Sequence, residues 1–161
     1  IGFAYEIASI LNKKVTLPSL DTKPIKDDVN DYFKLEVETD KCPYYLAKMV
    51  TNVEIKESPA FIKARLIASG IRPINNVVDI TNYILMLFGQ PLHSFDKDLL
   101  GNKIVVRRAN EGEKTVTLDN IERTLNEEDI VIADENNAVG LAGVMGGLST
   151  EVENDTKEHS N

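Results

Sequence analysis

The sequence predicts an α+β fold, because its strand-like and helix-like segments are segregated along the chain. Residues 33–38 alternate with the period of a strand, and 45–55 is a second β-rich run. Two helical stretches then occupy 59–88, and from 104 onward short β-rich runs recur between turn residues. Strand, helix, helix and a run of strands is the order of an α+β domain, not of a doubly wound one. The expected architecture is mixed or antiparallel sheet with two central helices, preceded by a short N-terminal helix and a linker.

Each element has its own signal. Phe3, Ile7, Ile10 and Leu11 recur at helical spacing, so 2–12 reads as an amphipathic helix. The stretch 13–31, rich in Pro, Asp and Lys, reads as a linker. Residues 1–31 are therefore assigned to the end of a preceding region and 32–161 to the domain. The first residue is Ile1 and not Met, and helix begins at once, as expected of a piece of a longer polypeptide.

In the first strand Phe33, Leu35 and Val37 should face inward, with Lys34, Glu36 and Glu38 outward. Ser58 is expected to accept an orphan amide at a helix start, and Pro59 sits where no donor is needed. That helix runs through Phe61, Ile62, Leu66 and Ile67 to Gly70, suited to a left-handed cap. The next, 77–88, is apolar on several faces, which implies deep burial, and Gly89 and Pro91 end it. Strands follow at 104–108, 115–118, 130–133 and 139–141, and then a polar tail, 148–161.

At 161 residues the chain fits one domain. Its single cysteine, Cys42, excludes an internal disulfide framework. With only His93 and His159 beside it, a zinc site of the usual ligands is not expected. There is no apolar run of membrane-spanning length and no signal-peptide pattern; the single cysteine suits the reducing cytosol, and a cytoplasmic location is expected. The net charge of −8 is uneven: 1–100 carry 12 basic and 13 acidic residues, whereas 101–161 carry 6 and 13, net −7. A free-standing RNA binder carries a basic face. Any RNA affinity must therefore draw on a larger assembly.

Three segments set polar residues among apolar ones: 70–83, 89–96 and 141–147. Arg72, Asn75, Asn76, Asp79 and Asn82 crowd the start of an apolar helix. Asn75, Asn76 and Asp79 fit a self-contained capping network, with Asn75 or Asn76 as N-cap and Arg72 paired to Asp79, as well as they fit a site. Thr81 and Asn82 lie further along than a cap requires. His93 follows a helix end, and its imidazole titrates near neutrality; Asp96 could orient it or cap the turn that follows. The double glycine 146–147 admits either a ligand-facing backbone or a tight turn.

At these residues the chain resembles the beta subunit of bacterial phenylalanyl-tRNA synthetase, in its tRNA-editing domain. The resemblance rests on Ser58-Pro59, GIRPINNVVDITNY at 70–83, GQPLHSFD at 89–96, Glu113 with Thr117-Leu118-Asp119, IVIAD at 130–134 and LAGVMGG at 141–147. It covers about residues 40–156. It implies hydrolysis of mischarged Tyr-tRNA(Phe), in support of phenylalanyl-tRNA aminoacylation by the whole enzyme. The need is physical: a pocket shaped for phenylalanine rejects an added hydroxyl poorly, so a second site must.

Carried over position by position, the implied catalytic residues are His93, Asn82 and Thr81, and the implied substrate-binding residues are Arg72, Ala142, Gly143, Gly146 and Gly147. His93 would position or deprotonate water, with Asn82 and Thr81 on water or the terminal ribose. Backbone at Gly146 and Gly147 would steady the oxyanion. Arg72 would hold the terminal adenosine phosphate or brace the pocket. The resemblance implies no metal in this domain; ATP and Mg²⁺ belong to the parent ligase, at a site in its other subunit. Implied partners are the 3′ end of tRNA(Phe) and the alpha subunit of an alpha2beta2 heterotetramer, with no membrane and no DNA.

Two departures stand out. Ser94 occupies a position where alanine is commoner. Family members continue past the threonine matched by Thr156 into an apolar strand whose glutamate recognises the tyrosine hydroxyl, where this sequence reads Lys157-Glu158-His159-Ser160-Asn161. The domain is thus expected to be truncated at its C-terminal edge and to lack that carboxylate. The alternative, favoured by the acidic 101–161, is a non-catalytic module that docks the tRNA acceptor end or a neighbouring domain.

Overall fold

Strands rich in valine and isoleucine make the centre of the molecule, as their β-branched side chains favour. The computed structural model describes residues 1–19, 22, 24 and 26–152. Helices α1 (Gly2–Ile10), α2 (Ala60–Ala68), α3 (Asn76–Phe88) and α4 (Lys97–Leu100) join strands β1 (Lys34–Val37), β2 (Lys103–Arg108), β3 (Lys114–Val116), β4 (Glu122–Thr124), β5 (Ile130–Ala133), β6 (Ala138–Leu141) and β7 (Met145–Gly146). Short 3-10 turns lie at Val29–Asp31 and Leu148–Thr150. The main sheet runs β1-β2-β5-β6-β7, and β3 with β4 forms a small second one. β1 is parallel to β2 and the other neighbours are antiparallel. The fold is α+β with a mixed sheet.

Two apolar clusters hold it. One joins Val105, Val131, Ala133 and Ala138 to Ala109 and Leu125; the other joins Ile104, Ile132 and Val139 to Phe33 and Leu100. β5 contributes to both, so its run Ile-Val-Ile-Ala is apolar without alternation, as a strand covered on both faces requires. Burying each such side chain stabilises by about 1.5–3 kcal/mol. The register of β5 on β6 shifts between Ile132 and Ala133, leaving Val139 as the extra, unmatched residue of a bulge. An ion pair clamps the turn after β2: both guanidinium nitrogens of Arg107 donate to Glu113 at 2.8 Å. That bond lowers the Glu113 carboxyl below its ordinary range.

The start of α3 is a closed hydrogen-bond network, and it corrects two expectations. Asp79 is 1 % exposed, but its partner is not Arg72. Its carboxylate accepts from the Ser58 hydroxyl (2.5 Å) and the Ile74 amide (2.8 Å). Ser58 therefore donates to a carboxylate and does not cap α2, which Pro59 precedes with no side-chain cap. Asn75 is the N-cap, accepting from the Val78 amide at 3.0 Å. Asn76 ties the helix to the segment before α2, accepting from the Lys56 amide and donating to the Glu54 carbonyl. A buried carboxylate needs donors that stay fixed. Ser58 and a backbone amide are short and rigid, whereas Arg72 lies exposed.

Three other segments also depart from the pattern. α3 is not deeply buried: Ile80, Met86 and Phe88 are 46 %, 52 % and 44 % exposed, and Asp79 is its one buried residue. It packs on α2, whose Ile62 and Leu66 are buried, and its other apolar faces stay open. α1 has no buried residue, although the Ile1 amine donates to the Leu87 carbonyl at 2.7 Å. Expected to be a strand, the run 45–55 packs alternate residues Tyr45, Ala47 and Met49 on the second cluster, yet it pairs with no strand among the described residues. Burial pushes the Tyr45 phenol up to about 12. Alternation marks the side chains that meet a core, not a ladder for the backbone.

Replacing Asp79 by alanine leaves the Ser58 hydroxyl and the Ile74 amide without an acceptor. A loss of about 2–3 kcal/mol is expected in urea unfolding; an unchanged midpoint would show that this network does not hold the α2–α3 hairpin.

Candidate active site

The loop from α3 to α4 is directed by its backbone. Gly89 stops α3 in the left-handed conformation (φ 73°), its amide donating to the Leu85 carbonyl at 2.8 Å. At the far end the Asp96 side chain caps α4 by accepting from the Asp98 amide at 2.9 Å. Asp96 thus serves the turn and does not orient His93. Its own amide donates to the Thr150 carbonyl at 3.2 Å, which fastens the loop to the chain just after β7.

A second tie comes from His93. Its Nε2 accepts from the Gly143 amide at 3.4 Å, and its ring stacks on Phe95, centroids 6.1 Å apart at 14°. Nε2 as acceptor means a neutral imidazole with the proton on Nδ1. Burial favours that state and holds the His93 pKa below the ordinary 6.5. Ala142 and Phe95 both pack on the second core cluster, so the turn and the histidine share one apolar footing.

The β6–β7 hairpin presents the turn. The Val144 amide donates to the Leu141 carbonyl at 3.1 Å, and Gly143 has φ 71°, as the third position of a type II turn requires. Gly146 sits opposite Gly140 in the ladder, and a Cβ on it would meet only Leu118, whose Cδ1 would lie 3.1 Å away. Gly147 is different. Its amide already donates to the Val139 carbonyl at 2.8 Å, and a Cβ there would lie 2.6 Å from that same oxygen. Its amide is therefore not free for an oxyanion. Its small size serves the packing of backbone on the bulge.

The structure thus brings together His93, Ala142, Gly143 and, through the hairpin, Gly146. Among the described residues no side-chain hydrogen bond or ion pair links these to Arg72, Thr81 or Asn82. The Thr81 hydroxyl donates to the Val78 carbonyl at 2.8 Å within α3. Asn82 is half-buried and makes no side-chain hydrogen bond among the described residues; no hydrogen bond or ion pair among them ties Arg72 to the His93 loop. Glu158 and His159 lie outside the described residues. Sequence reasoning missed two groups. Phe95 carried a usable signal, as the one aromatic of a polar loop, two residues from His93. Thr150, 2 % exposed, has a buried hydroxyl with no partner, which no local pattern marks. Among the described residues no helix is long and apolar enough to cross a membrane, and no three His, Cys, Asp or Glu side chains are grouped to hold a metal ion.

Comparison with known proteins bears on this geometry. The model of the B3/4 domain family matches residues 41–159, which include every residue named for the site. The chain belongs to the B3/4 domain family. It is 53 % identical to a phenylalanine–tRNA ligase beta subunit of Bacillus cereus over 158 residues, 97 % of this chain and 20 % of that protein. The beta subunit of Geobacillus kaustophilus matches to the same extent. A beta subunit of Staphylococcus aureus is 52 % identical over 99 % of this chain and 20 % of its own length. The chain spans about a fifth of the length of these relatives.

Two outcomes are expected from this B3/4 site. Gly147→Ala should destabilise by about 1–3 kcal/mol, because the obstacle is backbone, whereas Gly146→Ala should be milder because Leu118 can yield; equal effects in parallel denaturation curves would contradict the contact with Val139. The second concerns pH. The unfolded chain takes up a proton on His93 near 6.5 before the folded one does. The stability that His93 contributes is therefore present above that value and is lost as pH falls through it toward the lowered pKa. The wild-type advantage over His93→Asn in denaturant midpoint should shrink between about pH 7.5 and about pH 5. An advantage that stays flat across that interval would remove the buried, neutral imidazole.

Proposed function

We propose that this domain is a hydrolytic editing site, which cleaves the ester of mischarged Tyr-tRNA(Phe) within a phenylalanine–tRNA ligase. The observation that carries the reading is the neutral His93 with its Nε2 on the Gly143 amide. At 3.4 Å that bond is long, and so easily exchanged. When the ester carbonyl takes the Gly143 amide, Nε2 is released. Water attacks the carbonyl carbon and gives its proton to Nε2, while the oxyanion rests on the Gly143 amide. Collapse breaks the ester bond, and the imidazolium returns the proton to the departing ribose hydroxyl. Free amino acid and uncharged tRNA leave. No protein nucleophile is required, because the aminoacyl ester is already activated and water need only be positioned.

In this reading Asn82 and Thr81 approach from α3 to hold water or the terminal ribose, Arg72 contacts the terminal adenosine phosphate or braces the pocket, and Ala142 and Gly146 shape the wall. The support is the Asn82 amide, unpartnered among the described residues, and the likeness to the beta subunits. The whole ligase would join amino acid to tRNA with ATP and Mg²⁺ at a site in its alpha subunit, in an alpha2beta2 heterotetramer in the cytoplasm. The group that reads the tyrosine hydroxyl would come from outside the described residues.

A second reading, a docking module without hydrolysis, draws support from the net −7 of residues 101–161 and from the absence, among the described residues, of a side-chain hydrogen bond from Arg72, Thr81 or Asn82 to His93. Deacylation separates the two. In the assembled ligase, His93→Ala should slow tyrosyl-tRNA hydrolysis by about 10²–10⁴-fold, the usual reach of general-base catalysis. Asn82→Ala should slow it less. Unchanged rates in both variants would leave the docking reading.

A further inference from the structure

Away from His93, the α2–α3 hairpin carries a feature that the proposed chemistry does not use. On α2, Phe61 and Arg65 are one turn apart, and on α3, Tyr83 faces them. The Arg65 guanidinium lies over both rings, 5.7 Å from the Phe61 centroid and 5.6 Å from that of Tyr83, and it donates to the Tyr83 hydroxyl. The rings meet edge to face at 6.4 Å. Beside them runs an open groove of about 470 Å³ lined by Arg65, Ser69, Tyr83, Met86 and Leu87.

Charge sets this hairpin apart from the rest of the molecule. Between residues 60 and 95 the cations Lys63, Arg65 and Arg72 face a single acid, Asp79, and that carboxylate is buried. Lys63 is paired with Glu57. Arg65 and Arg72 have no carboxylate partner among the described residues. The chain as a whole is at −8, so a locally basic patch of exposed aromatics is not an average property of its surface. Most of the N–H donors of Arg65 are unengaged among the described residues, and Phe61 is 56 % exposed. An aromatic face beside an uncompensated guanidinium is suited to a base stacked next to its phosphate.

We infer that the Arg65–Tyr83 groove, with Phe61 beside it, binds one nucleotide of a single-stranded polynucleotide end, the base against the exposed Phe61 and the following phosphate on Arg65. This deepens the tRNA reading above and rests on it for the identity of the strand.

The test uses the assembled ligase, with uncharged tRNA(Phe) and the same tRNA trimmed of its single-stranded 3′ nucleotides. Phe61 and Arg65 are exposed, so Phe61→Leu and Arg65→Gln leave the core intact. Arg65→Gln should weaken intact tRNA about tenfold and lower the slope of log K against log salt by about one. Phe61→Leu should weaken it about five- to tenfold at unchanged slope. Neither should alter the trimmed tRNA. Unchanged affinity, or equal losses for both tRNAs, overturns the inference. So does loss of subunit assembly in light scattering with tRNA affinity intact, which would make the groove a protein contact. His93→Ala should keep full tRNA affinity while losing hydrolysis, and the groove variants should keep kcat at saturation. If the wild-type ligase fails to hydrolyse tyrosyl-tRNA, the editing reading falls, and the groove is judged by binding alone.

Discussion

A side chain at position 147 has nowhere to go, and much of the geometry around the site follows from that. The backbone of Gly147 lies against the Val139 carbonyl at the bulge of β6, and the two residues share a hydrogen bond. This close approach fixes β7 on β6. With β7 fixed, the tight turn at Ala142-Gly143 is forced, and the Gly143 amide is presented where His93 can reach it. The bulge supplies the offset, since the unmatched Val139 directs its carbonyl toward the neighbouring strand. Backbone packing of this kind is less forgiving than side-chain packing, because neither partner can rotate out of the way.

The His93 loop depends on that hairpin from the other side. It is tied at Gly143 and at Thr150, on either side of β7, and between these ties it has few options. The stacking of His93 on Phe95 covers the ring, and burial depresses its basicity. In the proposed mechanism, a histidine kept neutral with one nitrogen on an exchangeable backbone amide is ready to accept a proton from water. The same N–H that holds the imidazole at rest would be the donor an oxyanion needs. Catalysis and local stability would then draw on a single weak bond.

The α2–α3 hairpin is held by different physics. Its anchor is the buried Asp79 carboxylate, satisfied by Ser58 and by backbone, and its outer surface is apolar, aromatic and basic. The described residues cover little of that surface, and Phe3 and Ile10 of α1 remain 85 % and 82 % exposed. Apolar periodicity marks which faces of a helix avoid water; it does not say what covers them.

Elements as short as α4, β4 and β7 show no period. The order of the longer ones, β1, α2, α3, β2, β5 and β6, was legible in the sequence, because period-2 and period-3.6 patterns are local consequences of strand and helix geometry. So were the helix stops at Gly70 and Gly89, since few residues other than glycine tolerate φ near +75°. Asn75 is one of the two caps that the sequence offered, and the bond of the Gly143 amide to His93 joins two residues that the resemblance set together. Only the tertiary structure could decide the partner of Asp79, the packing role of Gly147, the absence of a strand partner for 45–55 among the described residues and the exposure of α3. Each of these depends on which distant segment comes within a few ångströms, and that is set by the sheet's register and the bulge in β6, neither of which leaves a mark in a short window of sequence.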